Sequence, residues 1–192
     1  TKVTFAELAF VMLMLATVAF DGLEETEAWL SLREILSSNL SLFGWAATEV
    51  ADTLGLLIVP LVFAGVYLVF AWSMRLFSNR SSSTIEVART FVYSLVPIAI
   101  AYNIAHFLTL LLIQGQLLVP LSSDPFGWGW DLLGTADYRI DLGLIGPQVI
   151  WFVSVSVIVI GHILSVYLAH VTALRTIPST TQALRSQYPM LV

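Results

Sequence analysis

The chain has 192 residues, 58% of them hydrophobic and 11% charged, with a mean hydropathy of +0.88; so apolar a composition excludes a water-facing globular surface and describes a membrane protein. Eight basic against thirteen acidic residues give a formal charge of -5, which excludes nucleic acid and makes an anionic lipid surface unattractive as an electrostatic partner. The absence of cysteine removes disulfides, thiolate metal sites and iron–sulfur clusters, so any metal must be held by His, Asp, Glu, Asn or Tyr.

Four stretches approach or reach the roughly 20 apolar residues that a helix needs to cross about 30 Å of hydrocarbon. They lie at about 5–20, 54–74, 90–113 and 148–174. The expected fold is all-α: a polytopic transmembrane bundle of four spans plus one interfacial amphipathic helix, forming a single transmembrane domain over residues 1–192. The chain begins without Met and reaches an apolar string, Tyr188-Pro189-Met190-Leu191-Val192, so a fragment of a larger membrane protein is expected. The first stretch has only Lys2 before it and Phe20-Asp21-Gly22-Leu23 directly after it, which reads as a mature span rather than a cleaved signal peptide.

The basic residues set the orientation. Lys2, Arg75, Arg80, Arg89, Arg175 and Arg185 fall on one side and only Arg33 and Arg139 on the other, so positive-inside places both ends in the cytoplasm. All the acids except Glu7 and Glu86 belong to the outer side. Within the first outer segment, residues 27–42 set Ala28, Leu32, Ile35, Leu36 and Leu42 near helical spacing among polar neighbours, the pattern of an interfacial helix capping the bundle. The second, 114–147, interleaves Pro and Gly with Trp128 and Trp130; it is a candidate lid over the outer mouth, with aromatic anchors at headgroup depth. Asn39-Leu40-Ser41 and Asn79-Arg80-Ser81 match the glycosylation triplet, the latter on the inner side.

Polar residues inside hydrocarbon need partners or a purpose. Asn103 and His106 stand at i,i+3 in the third span and share a face. His162 is central in the fourth, and His170 is expected at the inner interface. Counting along the axes sets Asn103 and His162 near the midplane and His106 roughly 7 Å toward the outer side. A kink at Pro97, which frees a carbonyl in the preceding turn, is expected to bring the outer half of the third span inward. One reading gathers His106, His162, Asn103 and Asp21 into a buried polar site with His106 and His162 as ligands of a divalent metal ion. The other treats each histidine as an interhelical hydrogen bond, supported by the small residues Ser154, Gly161, Ser165 and Ala169. Haem held by two histidines is a third alternative, disfavoured by their different depths. Glu7, Glu49 and Asp52 are expected to be structural; Glu7 is placed to pair with Arg89, and Glu49 and Asp52 to sit at a helix N-terminus.

Several strings occur together: Tyr93-Ser94-Leu95-Val96-Pro97-Ile98-Ala99, Ala105-His106, Ser123-Asp124-Pro125-Phe126-Gly127, Gly134-Thr135-Ala136-Asp137-Tyr138, Gly161-His162 and Arg185-Ser186-Gln187-Tyr188-Pro189-Met190. On these the chain resembles the C-terminal part of the fenitrothion hydrolase-like family of polytopic bacterial and archaeal membrane proteins. The resemblance implies further spans before Thr1 and another from about Pro189. It also implies hydrolysis of an organophosphate ester, a step open to metal-bound hydroxide. The polar residues then give a metal-dependent hydrolase with His106 and His162 as ligands, Asp21 as ligand or base and Asn103 orienting substrate. At Asn103 the family pattern would place histidine. The competing expectation is a non-catalytic membrane subunit or permease-like component that packs against partner helices.

Overall fold

A computed structural model of the chain describes residues 3–78, 82–143 and 145–188. Lys2, Arg80, the Asn79-Arg80-Ser81 triplet and the apolar string from Pro189 onward lie outside the described residues. Those described form helices and no strand, and four stretches are long and apolar enough to cross a membrane: Phe5–Glu24, Leu42–Phe77, Thr84–Ser123 and Pro147–Thr176. Each contains one of the stretches expected from hydropathy.

The helices are α1 (Phe5–Glu24), α2 (Glu27–Asn39), α3 (Ala47–Ser78), α4 (Thr84–Phe91), α5 (Val96–Ile113), α6 (Leu118–Ser123), α7 (Pro147–Thr176) and α8 (Thr180–Ser186). Three 3-10 segments join them, at Ser41–Ala46, Val92–Leu95 and Gln114–Leu117. They overrun the apolar stretches because polar residues at their ends satisfy orphan backbone groups. Thr4 and Ser83 each begin a capping box, with Glu7 and Glu86 returning the bond to the cap's own N–H. Glu7 therefore caps its own helix, while the Arg89 Nε donates to the Val3 carbonyl.

The chain forms two compact units, Thr1–Ala99 with His162–Val192, and Ile100–Gly161. In the first, α1 buries Leu8, Val11, Met12 and Leu15 against Val92 and Ala99, the i, i+3, i+4, i+7 face of an amphipathic helix. A second cluster joins Ala71 and Met74 of α3, Val87, Ala88 and Phe91 of α4, and Ala169 and Ala173 of α7. Alanines dominate because small side chains let helix backbones approach closely, and lipid supplies no hydrophobic drive between spans.

Helix α2 docks through one ring. On α2 the buried residue is Trp29, whereas Leu32 and Ile35 are exposed. The Trp29 ring meets Phe20 of α1 edge-on at 5.0 Å, and its Nε1–H donates to Asp52 Oδ1 of α3 at 3.3 Å. Asp52 also faces Arg33 of α2 at 3.6 Å. One bulky ring thus docks a short helix that its aliphatic pattern alone does not hold.

In the second unit, Ser154 of α7 donates to the Ala105 carbonyl of α5 at 3.5 Å. The long connection after α6 is folded on its own polar residues. Gln116 donates to the Leu112 and Asp141 carbonyls at 2.8 and 2.9 Å and accepts from the Tyr138 hydroxyl and Asp141 N–H at 3.0 and 2.8 Å. Asp124 accepts the Trp128 and Gly129 N–H groups at 2.9 and 2.7 Å. Gly127, Gly129 and Gly134 take positive φ values, which a Cβ would strain.

Candidate functional site

Pro97 controls the geometry of the polar residues in the first unit. Its ring clashes with the preceding turn and it lacks an N–H, and the chain answers with the 3-10 turn Val92–Leu95 directly before α5. The Ile98 N–H then donates to Ser165 Oγ of α7 at 3.0 Å. Ser165 is buried at 6% exposure and so serves as an interhelical acceptor for a backbone group at a helix start. Ser94, also buried, donates to the Phe91 carbonyl at 2.6 Å. The Tyr67 hydroxyl of α3 donates to the Ala88 carbonyl of α4 at 2.8 Å.

The histidines divide by role. His170 Nδ1–H donates to Gln187 Oε1 at 2.8 Å, and the Gln187 amide nitrogen donates to the Ala183 carbonyl at 3.0 Å. That chain of bonds ties the end of α7 to α8. His162 lines a cavity of about 250 Å³ with Tyr67, Met74, Phe91, Ser94 and Ser165; Asp21 is not part of its wall. Asp21 is half-buried near the end of α1.

Asn103 and His106 belong to the second unit. They lie on α5, with Asn103 half-buried and His106 exposed beside Phe107, the two rings 4.8 Å apart and nearly perpendicular. Asp21, Asn103 and His106 all have interaction partners. Of the four residues expected to form one site, two therefore fall in each unit.

A resident metal ion requires three or four donors at bonding distance. Among the described residues no group of three or more His, Asp or Glu side chains could hold one.

The residues that sequence reasoning passed over are those with the fullest hydrogen bonding: Trp29, Gln116, Ser123 and Asp131. Ser123 is fully buried, donates to Asp131 Oδ1 at 2.7 Å and accepts the Leu133 N–H at 3.0 Å. The Ser123 hydroxyl, with the Ala136 N–H behind it, holds the Asp131 carboxyl below its usual range. The signal available beforehand was the string Gly134-Thr135-Ala136 after Asp131, a run of small residues whose N–H groups are free to turn onto a carboxylate. No family model, characterised protein or solved structure matches this chain.

Proposed function

We propose that this chain is a non-catalytic, membrane-embedded helix-packing module of the fenitrothion hydrolase-like type, assembling with partner transmembrane helices. Within the spans, Tyr67, Ser154 and Ser165 join helices to one another. The observation that carries this reading is the Ser165 to Ile98 bond, in which a span's polar side chain is consumed by a neighbouring helix's backbone; Tyr67 with Ala88 follows the same rule, and His170 is consumed by the Gln187 side chain. Exposure supports the need for partners. Only 11% of the most apolar window is buried in each of the last three spans, against 33% in the first, leaving long apolar faces for lipid and neighbouring helices. The basic residues favour the cytoplasmic membrane with both ends of the chain inside.

Elemental analysis of the purified protein, with an absorption spectrum for haem, tests the reading. It predicts metal well below one equivalent per chain, no haem absorption, and no change on His106→Ala or His162→Ala, while His170→Ala lowers the thermal midpoint. A full equivalent of metal lost in both of the first two variants contradicts it. That result would favour a hydrolase with His106 and His162 as ligands, Asp21 as ligand or base and Asn103 orienting substrate.

A further inference from the structure

The cavity beside His162 lies wholly within the first unit, between α3, α4, the start of α5 and α7. Its volume is about 250 Å³. An apolar cavity of about 150 Å³ already takes benzene, whereas drug-sized sites begin at about 300 Å³. The space thus suits one ring with a few substituents. A helix roughly 10 Å across cannot enter it.

The wall is chemically lopsided. Phe70, Met74, Val87 and Phe91 belong to a wall that is almost wholly apolar, and Tyr67, Ser94, His162 and Ser165 bring its few polar atoms. No Asp, Glu, Lys or Arg lines it, so a charged occupant would lose its hydration without a counter-charge. The polar groups are not equivalent. The hydroxyls of Ser94 and Tyr67 are committed to backbone carbonyls, and Ser165 Oγ already accepts from Ile98. His162, an exposed residue of α7, makes no hydrogen bond among the described residues, and a neutral imidazole always carries one N–H donor. An imidazole in the span is costly without a partner, and an occupant with an acceptor oxygen removes that cost.

We propose that this cavity is a binding site for an uncharged, ring-sized, membrane-soluble ketone or quinone, whose carbonyl oxygen accepts a hydrogen bond from the His162 ring. The site goes beyond the packing role proposed above and requires neither metal nor catalysis. The ligand enters from the bilayer, where such molecules concentrate, and the aromatic wall of Tyr67, Phe70 and Phe91 stacks on its ring.

Acetophenone, a ketone with one ring, is both a member of this class and a photolabel, since its excited carbonyl takes hydrogen from a neighbouring C–H bond and the two radicals combine. The purified chain in lipid nanodiscs is irradiated with acetophenone and the adducts are mapped by mass spectrometry. The site predicts saturable labelling of Met74 above that of the exposed residues Val62 and Phe152, and its suppression by excess menthone, an uncharged ketone that does not crosslink. Val166→Trp, at an exposed wall position, fills the space and abolishes the Met74 adduct. His162→Phe keeps the ring and raises the half-saturating concentration about fivefold, the effect of one lost hydrogen bond. Equal labelling of Met74, Val62 and Phe152, or a Met74 adduct that menthone does not suppress, overturns the site. An adduct surviving Val166→Trp overturns it as well, and a half-saturation unmoved by His162→Phe overturns the hydrogen bond.

Discussion

Ser165 is a small residue on a packed face of α7, yet its hydroxyl oxygen is a bond acceptor for another helix. Removing it leaves the Ile98 N–H without that partner where water is excluded, which costs about 1–2 kcal/mol. Ser165→Ala is therefore expected to lower the unfolding free energy in detergent by that amount. Ser154→Ala, which loses a bond at the 3.5 Å limit, should change it less; equal effects would remove the special role of Ser165.

Gly55 offers a second residue-scale test. A methyl there would run into the Trp29 ring edge and lie 2.7 Å from Phe20 Cζ. Trp29 is 4% exposed and bonded to Asp52, so it has little room to retreat. Gly55→Ala should cost about 1–3 kcal/mol as an overpacked core does, and it should raise the accessibility of α2 to proteolysis. Gly65, with nothing within 4 Å of its added methyl, is the control, and Gly65→Ala should be neutral or slightly stabilising.

Among the elements, the connection from Asp124 to Gly146 is held by side chains, Gln116, Asp124 and Asp131 foremost. Gln116 makes four bonds, three of which hold Tyr138 and Asp141. Gln116→Leu should free this stretch and speed tryptic cleavage after Arg139 on the order of tenfold, the equivalent of about 1.4 kcal/mol of lost local stability. Asp131 adds a pH dependence. Its carboxyl lies below the usual range because the Ser123 hydroxyl and backbone N–H groups favour the ionised form. The stabilisation is thus fully present above the ordinary Asp range and is lost as pH falls through the depressed value. Phe126, Trp128 and Trp130 pack ring on ring in the same connection, so their fluorescence should change in that acid window, and Asp131→Asn should abolish the transition.

These elements also mark what the sequence made legible. Hydropathy locates the spans because lipid imposes one length and one polarity on every crossing helix. It misses the helix ends: α3 reaches back to Ala47 through Glu49 and Asp52, since carboxylates suit a helix N-terminus and do not stop it. Pro97 announces an interruption, but that the freed N–H next to it bonds to Ser165 depends on which helix packs there. Trp29 shares a face of α2 with Leu32 and Leu36 at i, i+3 and i+7, and the neighbouring Gly55 and Phe20 explain why its ring is the part that goes inside. Asn103, His106, His162 and Asp21 attract notice as rare polar residues in apolar runs, a pattern that binding and packing share.

For the whole molecule, the account rests on four membrane crossings with the loop after α3 and the connection after α6 on opposite faces. The chain has no cysteine, so single substitutions report position without background. The decisive measurement is labelling of Ser82→Cys and Asp137→Cys in intact cells with a membrane-impermeant maleimide, before and after permeabilisation. The account predicts that Asp137→Cys reacts in intact cells and Ser82→Cys only once the membrane is opened; reaction of both from the same compartment would contradict it.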